Sequence, residues 1–164
     1  MCIRDSAKAV WLDYCECKMI DTIAREPLWR HLINYRCGTG HSVSFVGNVH
    51  EGPHALNSRN TTRMRPGMVV TDEPGVYETD LVGIRIENEL VCVHKADNQY
   101  GTFLGFEPLM FVPIATSPIL PGVLDKDEIA WLNDYHRQVF AKLAPHLNDE
   151  ERSWLAEKCA AIGC

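Results

Sequence analysis

Three short segments place ionisable side chains where neither a core nor a simple turn requires them. The first is Gly38-Thr39-Gly40-His41, followed by Asn48-Val49-His50-Glu51-Gly52-Pro53. Glycines beside a histidine let backbone approach closely, which suits a ligand or substrate site; an ordinary loop with a surface histidine is the bland alternative. The second is Thr71-Asp72-Glu73-Pro74-Gly75-Val76-Tyr77, where an acid ends an apolar run just before a turn and could offer a ligand from a sheet rim or merely cap the turn. The third is Arg85-Ile86-Glu87, in which a period of two sets guanidinium and carboxylate on one strand face. Such a pair either orients a metal-binding carboxylate or forms a solvated ion pair. One imidazole and two carboxylates from separate strands make a mixed nitrogen and oxygen donor set, suited to Mn, Co or Zn in a hydrolytic site. A two-metal site needs about five protein ligands, and three stand out here.

The elements that must carry these residues are legible in outline. Ala7 to about Ala24 reads as a helix, with Val10, Trp11, Tyr14, Ile20 and Ile23 on one face and Pro27 closing it. From Tyr35 to Phe111 the chain has strand character. Met68-Val69-Val70-Thr71 is β-rich and stops at Pro74-Gly75, and Gly83 to Val93 reads as one strand with Ile84 and Ile86 opposite Arg85 and Glu87. Asp125 is the expected N-cap of a helix continuing through Ile129, Leu132, His136, Val139 and Leu143 to Pro145. A second helix is expected from Asn148 or Asp149 to Gly163. The class is therefore α+β: a mostly antiparallel curved sheet with flanking helices, then a C-terminal helical pair. Residues 1–112 and 113–164 form the two expected parts.

Bulk properties exclude several functions. Of 164 residues, 46% are hydrophobic and 23% charged, the balance of a globular protein. Sixteen Lys and Arg against 22 Asp and Glu give a net charge of −6, without the electrostatic footprint of a nucleic-acid binder. The longest apolar stretch, Leu109 to Val112, stops at Pro113, so no membrane partner is expected. Seven cysteines with no CxxC pair fit free thiols in a reducing cytoplasm. Met1 to Ser6 has no periodicity and reads as the edge of a truncated reading frame, with no secretory signal.

Taken in order and spacing, these segments, with Phe106-Glu107-Pro108-Leu109, resemble the C-terminal half of aminopeptidase P, the Xaa-Pro aminopeptidase family of pita-bread (creatinase/aminopeptidase-like) metallopeptidases. Trp131 to His136 and Glu151 to Leu155 resemble the helical C-terminal extension of the larger, cytosolic-type members. The resemblance implies hydrolysis of the N-terminal Xaa-Pro bond of proline-containing peptides by a water bridging two divalent ions, with manganese expected and Zn or Co as alternatives. It assigns His41, Glu73 and Glu87 as metal ligands and Glu73 also as base. It assigns His50 to the substrate or tetrahedral intermediate, and Tyr77 and Arg85 to support of the site. A homodimer through the C-terminal region is implied as well.

The pattern also departs from the family. Two aspartate ligands belong to strands upstream of this chain's beginning, and Asp13 and Asp21 match neither. Cys37 stands where the family usually has histidine, and Ser42 and Ser44 where it has glycine. Two further readings follow: a non-catalytic pita-bread binding module, or a fragment without activity of its own. Retention of His41, Glu73 and Glu87 together favours the enzyme lineage.

Overall fold

The apolar runs in the middle of the chain pair into one six-stranded sheet with the order β1-β8-β7-β4-β2-β3. The strands are β1 (Val10–Leu12), β2 (Gly40–Val43), β3 (His50–Leu56), β4 (Val69–Asp72), β7 (Asn88–Asn98) and β8 (Gly101–Pro108), and neighbouring strands run antiparallel. A separate hairpin joins β5 (Gly75–Glu78) to β6 (Val82–Arg85). This computed structural model describes residues 2–163. The chain forms two units, residues 1–110 with the sheet and residues 111–164 with the C-terminal helices.

Inward residues of the sheet and of helix α2 (Cys17–Trp29), with Met64 from the connection between β3 and β4, make the core of the first unit: Trp11, Cys17, Ile20, Leu56, Val70, Leu90, Cys92, Leu104 and Phe106. Register sets these groups face to face, with Val70 opposite Leu90 and Cys92 opposite Phe106. The expected helix from Ala7 to Ala24 is replaced by α1 (Cys2–Ala7), strand β1 and the start of α2. Val10-Trp11-Leu12 instead forms the edge strand and pairs with β8, where Trp11 lies opposite Leu104 and its ring is 4.6 Å from that of Phe106. Burying one large aromatic on a half-buried strand outweighed a weak helical periodicity. Pro27 sits inside α2 rather than ending it. So close to the C-terminus a proline removes only one intrahelical bond.

Gly83 to Val93 is two strands, not one. β6 belongs to the hairpin and β7 to the main sheet, so Ile86 and Glu87 form the crossing between them. The alternation still holds on the apolar side, because Ile84 and Ile86 line the same hollow with Pro74 and Val76.

In the second unit, α3 (Lys126–Leu143) leads through a 3₁₀ turn (Ala144–His146) to α4 (Asp149–Lys158). Asp125 with Glu128 and Asn148 with Glu151 form reciprocal capping boxes, so both helix starts are satisfied by side chains. α4 ends at Lys158 with Cys159 as its C-cap, five residues before the expected Gly163. Tyr135, Val139 and Leu155 are buried here with Phe111, Ile114 and Leu147 around them. The extended segment 111–114 is pinned to α3 by the Tyr135 hydroxyl, which donates to the Val112 carbonyl at 2.9 Å, and by the Ile114 N–H, which donates to His136 Nε2 at 3.1 Å. No helix among the described residues is long and apolar enough to cross a membrane, and the six described cysteines are free thiols.

Candidate functional site

His41 lies on β2, which approaches β4 so closely that a Cβ on Gly40 would stand 1.7 Å from the Thr71 carbonyl oxygen. Glycine is therefore required at position 40. With that approach allowed, the His41 N–H donates to Thr71 Oγ1 at 2.9 Å, and the Thr71 hydroxyl donates to Glu73 Oε1 at 2.9 Å. Thr71 and Glu73 share a strand face at i, i+2, so the threonine bridges the two candidate ligands. Asp72, between them, turns inward and is fully buried, and burial pushes its carboxyl well above the usual range.

The imidazole orientation limits what can join His41 to Glu73. His41 Nδ1 lies 3.0 Å from the Ser42 carbonyl, which can only accept, so Nδ1 carries a proton. Nε2 of the neutral ring then presents a lone pair, and it faces Glu73 Oε1 at 3.0 Å. Two lone pairs at that distance call for a shared cation, either a proton or a metal ion. Ligand bonds of about 2.1 Å at right angles put donor atoms about 3.0 Å apart, so this edge fits one face of a metal site.

Glu73 is held on its other side by Arg85, whose Nη1 donates to Oε2 at 2.7 Å. The arginine thus serves Glu73 rather than forming the expected pair with Glu87, because β6 ends at Arg85 and the chain turns away. Glu87 remains within electrostatic reach: burial and Glu73 push its carboxyl up, while Arg85 and His41 oppose that rise. Tyr77 packs its ring 5.3 Å from the Arg85 guanidinium carbon. That ring occupies the space above Gly75, where a Cβ would meet Tyr77 and Arg85 atoms at 2.8 to 2.9 Å. The β-bulge between His41 and Val43 brings Val43 opposite His50, and the His50 ring comes to 3.8 Å from that of His41, centroid to centroid. His50 is exposed, and so available to a ligand.

The structure thus gathers His41, His50, Glu73, Tyr77 and Arg85, with Glu87 nearby. Cys37 joins them: its sulfur lies 3.6 Å from Arg85 Nη2 and 3.5 Å from the Gly75 carbonyl. Ser42 is buried in β2 opposite Val70, and the Ser44 hydroxyl donates to the Val46 carbonyl. Yet no group of three or more His, Cys, Asp or Glu side chains among the described residues is placed to hold a metal ion. The imidazole and carboxylates brought together are nonetheless donors of the kind such ions take.

Sequence reasoning missed the frame behind the site. Asp21 and Arg25 form a buried ion pair at 2.7 Å on α2. Arg25 also donates to the carbonyls of Tyr35 and Cys37, each at 2.7 Å, and Asp21 accepts the Thr39 hydroxyl. The Thr39 carbonyl in turn accepts the Glu73 N–H at 2.6 Å. The available signal was two opposite charges at i, i+4 on the helix face that also carries Ile20 and Ala24.

Comparison with known proteins points to a peptidase family. Residues 3–94 match the model of metallopeptidase family M24, and residues 102–162 match the C-terminal region of that peptidase. A probable Xaa-Pro aminopeptidase P of Coprinopsis cinerea is 41% identical over 152 residues, covering 88% of this chain and 24% of that protein. Aminopeptidase P2 of Arabidopsis thaliana is 44% identical over 144 residues, covering 84% and 20%. The crystal structure of X-prolyl aminopeptidase from Caenorhabditis elegans, described as a cytosolic enzyme with a di-nuclear active site, superposes with a TM-score of 0.87 at 37% identity, covering 98% of this chain and 27% of the other. The chain therefore spans about a quarter of the length of these relatives.

Proposed function

This chain belongs to metallopeptidase family M24, and on that premise we propose that it is the C-terminal part of an Xaa-Pro aminopeptidase that acts on proline-containing peptides. His41, Glu73 and Glu87 would supply three ligands to a pair of divalent ions, manganese by resemblance, and the remaining ligands would come from outside this chain. The observation that carries the reading is the 3.0 Å contact between His41 Nε2 and Glu73 Oε1. When bound, the metals would lower the pKa of a water and polarise the scissile carbonyl.

The chain's own residues prepare that chemistry. The Ser42 carbonyl fixes the His41 tautomer, and Thr71 sets the spacing between His41 and Glu73. Arg85 holds one Glu73 oxygen in charge-assisted contact and orients the carboxylate. His50, packed at a tilt against His41 and open to solvent, is placed to hydrogen-bond the substrate. Cytoplasmic location belongs to the same reading, supported by free thiols and by the cytosolic description of the C. elegans neighbour.

The test is a chimaera in which this chain replaces the corresponding part of the Coprinopsis relative. The isolated chain should hold fewer than two ions after manganese loading and dialysis, and should cleave nothing. The chimaera should hold two and release the first residue of Xaa-Pro peptides, and Glu87→Gln should abolish both. A folded chimaera that binds two ions but cleaves no Xaa-Pro peptide would sink the proposal, as would unchanged activity in Glu87→Gln.

A further inference from the structure

We propose that the cavity on the far side of Cys37 binds a carboxylate, namely the free C-terminus of a short peptide whose proline bond lies at the His41–Glu73 site. The inference rests on the aminopeptidase reading for the identity of the peptide. The cavity, about 680 Å³, is lined by Arg25, Arg36, Arg59, Asn34, Asn57 and Cys37 among others, and no carboxylate lines it. In a chain of net charge −6 this is a local reversal of sign.

The side chains that line it are rich in hydrogen-bond donors, and its two amide oxygens are already engaged. Asn34 Oδ1 accepts from Arg25 Nη1 at 3.1 Å, and Asn57 Oδ1 accepts the Arg59 and Asn60 N–H groups, each at 3.0 Å. Each amide therefore turns its NH₂ away from those partners, with no acceptor for it among the described residues. Arg25 forms a neutralised wall, paired with Asp21 and donating to the carbonyls that shape the loop. Arg36 and Arg59 are different: both are exposed, and neither makes an ion pair or side-chain hydrogen bond among the described residues. Two unpaired guanidinium groups beside two amide donors complement an oxyanion. Cys37 belongs to both places, since it lines this cavity and its sulfur touches Arg85, the partner of Glu73. A carboxylate held there would anchor the tail of a short peptide while its proline bond lies at the histidine and glutamate.

The chain as it stands can be titrated calorimetrically with the tripeptide Gly-Pro-Gly as free acid and as C-terminal amide, and with inorganic phosphate as competitor. The free acid should bind at least about tenfold more tightly than the amide. Phosphate should displace it, and Arg36→Gln with Arg59→Gln should erase the difference between acid and amide. Both arginines are exposed, so the double variant should keep its circular dichroism spectrum and melting temperature. Equal binding of acid and amide by the unaltered chain overturns the inference, even if phosphate binds through Arg36 and Arg59. So does an acid preference that survives the double substitution. The aminopeptidase reading fails separately: an inactive chimaera with the acid preference intact condemns the reaction, whereas an active one indifferent to the C-terminus condemns only this subsite.

Discussion

The carbonyl oxygen of Thr39 accepts the backbone N–H of Glu73 at 2.6 Å, and this bond ties the site to helix α2. Behind Thr39 stand Asp21, which takes its hydroxyl, and Arg25, which grips the carbonyls on either side of Arg36. The loop that leads into His41 is therefore held from its buried side by one ion pair.

Breaking that pair should be costly. Asp21 and Arg25 are almost fully buried and 2.7 Å apart. Replacing Asp21 with Asn leaves a buried guanidinium uncompensated, at a cost of roughly 3–5 kcal/mol. Urea unfolding of the chain should show the unfolding free energy falling by that amount for Asp21→Asn. The double variant Asp21→Leu/Arg25→Met, which removes both charges, should lose less than Asp21→Asn alone. A double variant weaker than the single would contradict the ion-pair account.

Thr71→Val tests the bridge between the two candidate ligands. Valine keeps the shape but gives the His41 N–H no acceptor and Glu73 Oε1 no donor. Loss of an outer partner of this kind lowers metal affinity by about 10–100-fold. In the chimaera, manganese binding should weaken by that factor, and stability should drop by about 1–3 kcal/mol. Unaltered manganese affinity would show that Thr71 serves the fold only.

These two effects mark what the sequence could and could not display. His41, Glu73 and Arg85 stand in short motifs that survive as strings, so their types were readable before their positions. Their partners were not: the link from His41 to Thr71 spans strands β2 and β4, and the link from Thr39 to Asp21 joins a loop to a helix. Pairing Arg85 with Glu87 followed from a strand period of two, and failed because β6 stops at Arg85 so that β7 can join the other sheet. Local alternation does not reveal where a chain changes sheets. Helix starts at Asp125 and Asn148 were legible because a capping box is a local device, written within four residues.

Cys37→His should raise activity in the chimaera. The thiol touches Arg85 and the Gly75 carbonyl, a position from which an imidazole could exchange a proton with a bound peptide near neutral pH. The expected gain in kcat/KM is at least about tenfold, at the low end of general acid–base effects. A drop in kcat/KM with metal content intact would mean the local packing has adapted to sulfur.

Acid should loosen the second unit through His136. Its side chain is fully buried, Nε2 accepts the Ile114 N–H, and Nδ1 has no hydrogen-bond partner among the described residues. Burial holds its pKa below the ordinary value of 6.5. Protonation is thus easier in the unfolded chain, so the unfolded state binds more protons below pH 6.5 and stability rises with pH across that window. The contribution is complete above 6.5 and is lost as pH falls from there toward the lowered folded value. Trp131 stacks on Tyr135, the residue next to His136, so tryptophan fluorescence can follow the unfolding of this unit. The melting temperature should fall between pH 7.5 and pH 5, by an amount that His136→Leu reduces. That variant should be less stable at pH 7.5 by about 1–3 kcal/mol, since the Ile114 N–H loses its acceptor. A pH slope unchanged by His136→Leu would place the acid sensitivity in another group.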